Sequence, residues 1–72
     1  MLAPDIPRME LLGNHAFYMD RHRGVLGYST EAVDINGGSV VVRITGRNLQ
    51  LQAMTEQELR IDGIIEKIEL VE

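Results

Sequence analysis

Apolar and polar residues alternate through most of this chain, and glycine interrupts the alternation at short intervals. A period of two is what a strand with one buried face requires, whereas a helix repeats every ~3.6 residues. The cleanest stretch runs from Ala32 to Thr45 around Asn36-Gly37-Gly38. Val33 and Ile35 alternate there with Asp34 and Asn36, and Val40, Val42 and Ile44 alternate with Val41, Arg43 and Thr45. The β-branched side chains are stiff at χ1 and pack well on a pleated surface, so the segment predicts a hairpin.

The rest of the chain follows the same grammar. Pro4 and Pro7 predict an extended N-terminal segment over residues 1–7. A short run from Arg8 to Leu12 meets Gly13-Asn14, which suits a tight turn, and returns from His15 to Asp20. Phe17 and Met19 there oppose Ala16 and Tyr18, and the pattern leaves open which pair is buried. A polar connection ending at Gly24 leads to a third strand over Val25 to Tyr28. Gly46-Arg47-Asn48 predicts another turn, followed by a short sixth strand over Leu49 to Gln52. Thr55 with Glu58 three residues later has the form of a capping box, which predicts one helical turn over residues 54–58.

From Leu59 to Leu70 two periods compete. Ile61, Ile64, Ile65 and Ile68 are spaced like the stripe of an amphipathic helix. Against a helix stands Gly63, which costs about 1 kcal/mol relative to alanine inside one. As strand, Leu59 and Ile61 alternate with Arg60 and Asp62, Gly63 marks a bulge or bend, and Ile64, Ile68 and Leu70 share a face. The strand reading is preferred. The whole predicts an all-β or mostly β fold: a small antiparallel sheet, partly closed barrel or sandwich of six to eight short strands, as one domain over residues 1–72. Gly13, Asn14, Gly24, Gly37, Gly38, Gly46 and Gly63 are its expected turns and bends.

A chain of 72 residues buries only about 60% of the surface its unfolded form exposes. Small folds compensate with disulfides, metals or association, and this one has no cysteine and two histidines. Association through sheet edges, giving a homo-oligomer, is the expected device. Absence of cysteine agrees with a reducing cytoplasm. Neither a signal-peptide pattern nor a run of ~20 apolar residues occurs, so a soluble, cytoplasmic chain without a transmembrane segment is expected.

The net charge of −4 is unevenly spread. Met1 to Ala53 holds five acids and five basic residues, while Met54 to Glu72 holds six acids and two. With one Phe, two Tyr and no Trp, the chain lacks the basic field and stacking surface of a nucleic-acid binder.

Chemistry-bearing residues are sparse. Arg21, His22 and Arg23, with Arg43 and Arg47, could form a weak patch for an anionic ligand, although solvated loop and strand positions explain them more simply. His15, Asp20, His22 and Asp34 are metal-ligand types without metal-ligand spacing. Asp62, Glu66 and Glu69 read as the polar face of an amphipathic element rather than as acid-base partners. Ser29, Thr30 and Ser39 have no histidine and acid placed to activate them, and no glycine cluster leads into a phosphate-loop lysine. No cofactor, metal or catalytic set is expected.

The order of segments carries more information than any one of them. Leu11-Leu12-Gly13-Asn14, then Asp20-Arg21-His22-Arg23-Gly24-Val25-Leu26, Tyr28, Gly37, Ile44-Thr45-Gly46-Arg47-Asn48-Leu49 and Glu58-Leu59-Arg60-Ile61-Asp62-Gly63-Ile64-Ile65 together resemble the YabP/YqfC family of small sporulation proteins from endospore-forming bacteria. The resemblance spans roughly Ile6 to Leu70. Where such proteins carry Glu-Asn-His, this chain has Met19-Asp20-Arg21-His22. The resemblance implies a part in building the spore, in the mother cell or forespore, transfers no catalytic residues, and favours strand over Leu59 to Leu70. The reading is therefore a non-enzymatic sporulation protein that acts by protein-protein contact or self-assembly, its partner unidentified. The alternative is a module that binds a small anion or nucleic acid through Arg21, Arg23, Arg43 and Arg47.

Overall fold

The computed structural model describes residues 8–72, so the extended segment expected over residues 1–7 lies outside the described residues. Six strands occur in it: β1 (Met9–Leu12), β2 (Ala16–Asp20), β3 (Val25–Tyr28), β4 (Ala32–Asn36), β5 (Val41–Met54) and β6 (Glu58–Val71). They form one antiparallel sheet in the order β1-β2-β6-β5-β4-β3, without closure between β1 and β3. The all-β expectation holds, and the helical alternative for Leu59 to Leu70 is excluded, because these residues lie in β6.

Two expected boundaries are absent. Gly46-Arg47-Asn48 is not a turn and Leu49 to Gln52 is not a separate strand, since all lie within the 14 residues of β5. The helical turn expected over residues 54–58 is instead the tight connection between β5 and β6. Thr55 Oγ1 does accept the Glu58 N–H at 3.0 Å, as a capping box requires, and the Gln57 N–H at 3.3 Å. The Thr55 N–H also bonds the Glu58 carbonyl at 2.8 Å, which closes the hairpin and sends the chain straight back. A hydroxyl that caps a first helical turn can shape an isolated turn equally well.

The hairpin β5–β6 bends sharply at its middle. Its register shifts between Thr45 and Gly46, Arg47 and Gln50, and Leu51 and Ala53. Bulges of this kind bend a strand and increase its twist. Two glycines let the strands press together at this corner. A Cβ on Gly46 would run into the Ile64 carbonyl oxygen, and one on Gly63 would lie 2.5 Å from the Asn48 oxygen. Gly63 also has φ 138°, and Asn48 is left-handed at φ 54°, a conformation asparagine tolerates better than most residues.

The bend brings both halves of the sheet against a single core. Phe17, Met19, Leu49, Leu59 and Ile61 come from one side, Val33, Ile35, Val42 and Ile44 from the other, and Ile65 from the corner. Phe17 and Met19 are thus the buried face of β2, although Ala16 is also covered. Fully burying side chains of this size is worth about 1.5–3 kcal/mol each. The expected common face of Ile64, Ile68 and Leu70 is corrected at Ile64. It is exposed while Ile65 is buried, because the corner inserts an extra residue before Lys67 and shifts the alternation.

Candidate functional site: arginine set, tyrosine groove and strand edges

The five residues of the candidate arginine patch occupy different environments. Arg21, His22 and Arg23 lie on the connection from β2 to β3, with Arg21 at φ 59°. His22 is buried. Its Nδ1 accepts the Gly24 N–H at 3.0 Å, so the ring proton sits on Nε2, which donates to the Thr55 carbonyl at 2.8 Å. Nδ1 thus shapes the connection itself, and Nε2 ties it to the β5–β6 turn.

Arg43 faces Asp34 across β4 and β5, with Nε donating to Oδ1 at 3.0 Å. That bond, and then the Asp34 charge, raises the guanidinium pKa further above its ordinary value. Arg47 pairs with Glu66 at 3.2 Å. Arg21 and Arg23 remain exposed and without an ion pair among the described residues.

The acidic candidates are engaged on outer surfaces. Asp62 accepts from Arg60 at 2.9 Å, Glu66 from Arg47, and Glu69 lies 3.7 Å from Lys67. Ser29 Oγ accepts the Glu31 and Ala32 N–H groups at 3.2 and 3.0 Å, which employs it in the turn before β4. Among the described residues no three histidine, aspartate or glutamate side chains converge as a metal-ligand set.

One surface feature escaped the sequence reading. An open groove of about 330 Å³ on the outer face of β1 and β2 is lined by Arg8, Glu10, Leu12, Ala16, Phe17, Tyr18 and Arg60. The Tyr18 hydroxyl donates to Glu58 at 2.5 Å. This hydrogen bond, followed by partial desolvation and the Glu58 charge, pushes the phenol up to about 12. A phenol held protonated by a carboxylate positions its neighbours and is a poor nucleophile or base. Tyr18 and Glu58 are 40 residues apart, and only the β2–β6 pairing brings them together.

The strand edges differ in how well they are covered. β3 is four residues long and bulged between Val25 and Gly27. The outer side of β5 beyond β4 is closed by the preceding turn. Gly46 and Leu49 N–H groups donate to the Glu31 and Thr30 carbonyls at 3.0 and 2.8 Å, and the Tyr28 hydroxyl bridges the Leu49 carbonyl and the Leu51 N–H at 3.2 and 3.3 Å. One side chain here does the work of a neighbouring strand.

β6 is different. β2 pairs with it only over Glu58 to Asp62, and the β1–β2 turn extends the cover by accepting Gly63 and Ile65 N–H groups on the His15 and Asn14 carbonyls at 3.2 and 2.7 Å. From Lys67 to Val71 its strand partner is β5 alone among the described residues. Exposed Leu70 and Val71 lie on this open edge, and a small cleft lined by Leu11, Ile65, Glu66, Lys67 and Ile68 runs beside it. Val41, which alternation alone would allow at an exposed edge, is paired on both sides, with Asn36 and Val71.

No family model matches the chain, and no solved structure matches it. The chain is similar to the uncharacterized protein YqfC of Bacillus subtilis (strain 168), with 29% identity over 68 residues, covering 94% of this chain and 73% of that protein. This distant likeness reaches nearly the whole β architecture and agrees with the YqfC side of the resemblance carried by the sequence segments.

Proposed function

We propose that this chain is a non-enzymatic interaction module of spore formation that works in the cytoplasm by pairing its open β6 edge with another strand. The observation that carries the reading is the run from Lys67 to Val71, a regular strand end with exposed apolar side chains and, among the described residues, a strand neighbour on one side only. Unpaired N–H and C=O groups along an edge are a template for strand addition. The process comes from the ordered segments that resemble YabP/YqfC sporulation proteins, a resemblance that the likeness to YqfC supports at the level of family alone.

The anion-binding alternative has less behind it. Arg43 and Arg47 are held by Asp34 and Glu66, which leaves Arg21 and Arg23 to supply the charge.

The test is genetic. In the endospore-forming host, loss of this chain is expected to lower the yield of heat-resistant spores, and an Arg21→Ala, Arg23→Ala variant is expected to restore it. A Leu70→Lys, Val71→Lys variant, which guards the edge with charge at two exposed positions, is expected to fail. A spore yield indifferent to the loss, or restored by the edge variant, would remove the reading.

A further inference from the structure

We infer that the strand accepted by the β6 edge is the β6 edge of a second copy of this chain, joined antiparallel about a twofold axis that passes beside Ile68. The inference rests on the edge-pairing reading above and adds the partner and the register. In an antiparallel pair related by a twofold perpendicular to the sheet, residues directly opposite share a face, so the choice of axis fixes every cross-copy neighbour.

Charge selects the axis. With Ile68 on it, each Lys67 lies opposite Glu69 of the other copy, Glu66 lies opposite Leu70, and Ile68 meets itself. Lys67 and Glu69 are already 3.7 Å apart within one chain, so the pair of copies builds a cluster of four charges in alternating sign. Neighbouring registers lose this. An axis at Lys67 sets lysine against lysine, and one at Glu66 sets glutamate against glutamate. An axis at Glu69 opposes Glu69 to itself and Glu66 to Glu72, while one at Leu70 forms no ion pair and overlaps fewer residues. Like charges directly opposite one another destabilise a strand pair and opposite charges support it.

The edge also has apolar surface to cover. Leu70 and Val71 are 54% and 40% exposed, and Ile68 packs only partly against the core. Addition of a second β6 extends the sheet across these residues and satisfies the backbone groups that β5 does not reach.

Sedimentation velocity on the full chain at low salt tests the proposal. The wild type is expected to dimerise reversibly. Lys67→Glu and Glu69→Lys, each placing like charges opposite one another in both halves of the seam, are each expected to weaken dimerisation by roughly tenfold. The Lys67→Glu, Glu69→Lys double variant is expected to recover it. Lys67 is exposed while Glu69 is half-buried opposite Arg43 of its own chain, so circular dichroism and urea unfolding establish that each variant remains folded. Under mild oxidation Ile68→Cys is expected to yield a disulfide-linked dimer, because the on-axis residue is the one that meets its own copy. A monomeric wild type at high concentration, single variants that dimerise like the wild type, or a double variant that stays monomeric would overturn the proposal. A monomeric wild type combined with loss of spores in the Leu70→Lys, Val71→Lys variant would do so while leaving the edge reading intact, with a foreign strand as the occupant.

Discussion

His22 shows how much a single side chain can hold in a molecule this small. Its two ring nitrogens satisfy a donor on Gly24 and an acceptor on Thr55, 31 residues further along the chain. His22→Ala leaves both groups without their partner, and a loss of about 1–3 kcal/mol is expected from urea unfolding with an unchanged slope. Tyr18 makes a different prediction. Its folded-state pKa of about 12 lies above the ordinary value of about 10. The stabilisation it contributes is therefore fully present below pH ~10 and is lost as pH rises through ~12. Carbon NMR of the tyrosine ring should place the midpoint near its high value in the wild type and lower it in Glu58→Gln. Neither role was legible in the sequence. His22 looked like one member of an arginine-flanked patch, and Tyr18 like the uncertain face of a short strand. Their partners are distant in sequence and are set by β2 and the β2–β3 connection meeting β6 and its turn, a pairing that no local pattern encodes.

The bent hairpin of β5 and β6 governs the elements. Its alternation was readable over Val40 to Thr45 and over Leu59 to Ile61, because a single buried face imposes a period of two. The corner differs from the turn its residues predict for a physical reason. Gly46, Asn48 and Gly63 are residues that also make turns, and a sequence does not distinguish a chain reversal from a bulge where two strands cross closely. Gly46→Ala separates the two meanings. A turn would accept alanine at small cost, whereas here the added methyl meets the Ile64 carbonyl oxygen, and a loss of about 1–3 kcal/mol or more is expected in thermal or urea unfolding. Tyr28→Phe tests the cover on β5. It removes the hydroxyl from the Leu51 N–H and the Leu49 carbonyl, so amide exchange at Leu51 should accelerate while the buried core residues keep their protection.

At the scale of the whole molecule, size sets the terms. A chain of 72 residues has little stability in reserve, and association adds to it by mass action. The melting temperature is accordingly expected to rise with protein concentration in the wild type, and Lys67→Glu is expected to need about tenfold more protein for the same rise, as read by calorimetry across a dilution series. The all-β class and most strand positions could be read from alternation alone. Sheet order could not, because β2 skips three intervening strands to lie against β6, and the candidate edge follows from that order. The same topology bears on how the protein comes into being during synthesis. β2 exists long before β6 is made, and until then Phe17 and Met19 have no apolar bed opposite Leu59 and Ile61. The half of the core built on Phe17 and Met19 therefore closes only once β6 has been made, a long-range pairing of the kind that slows folding.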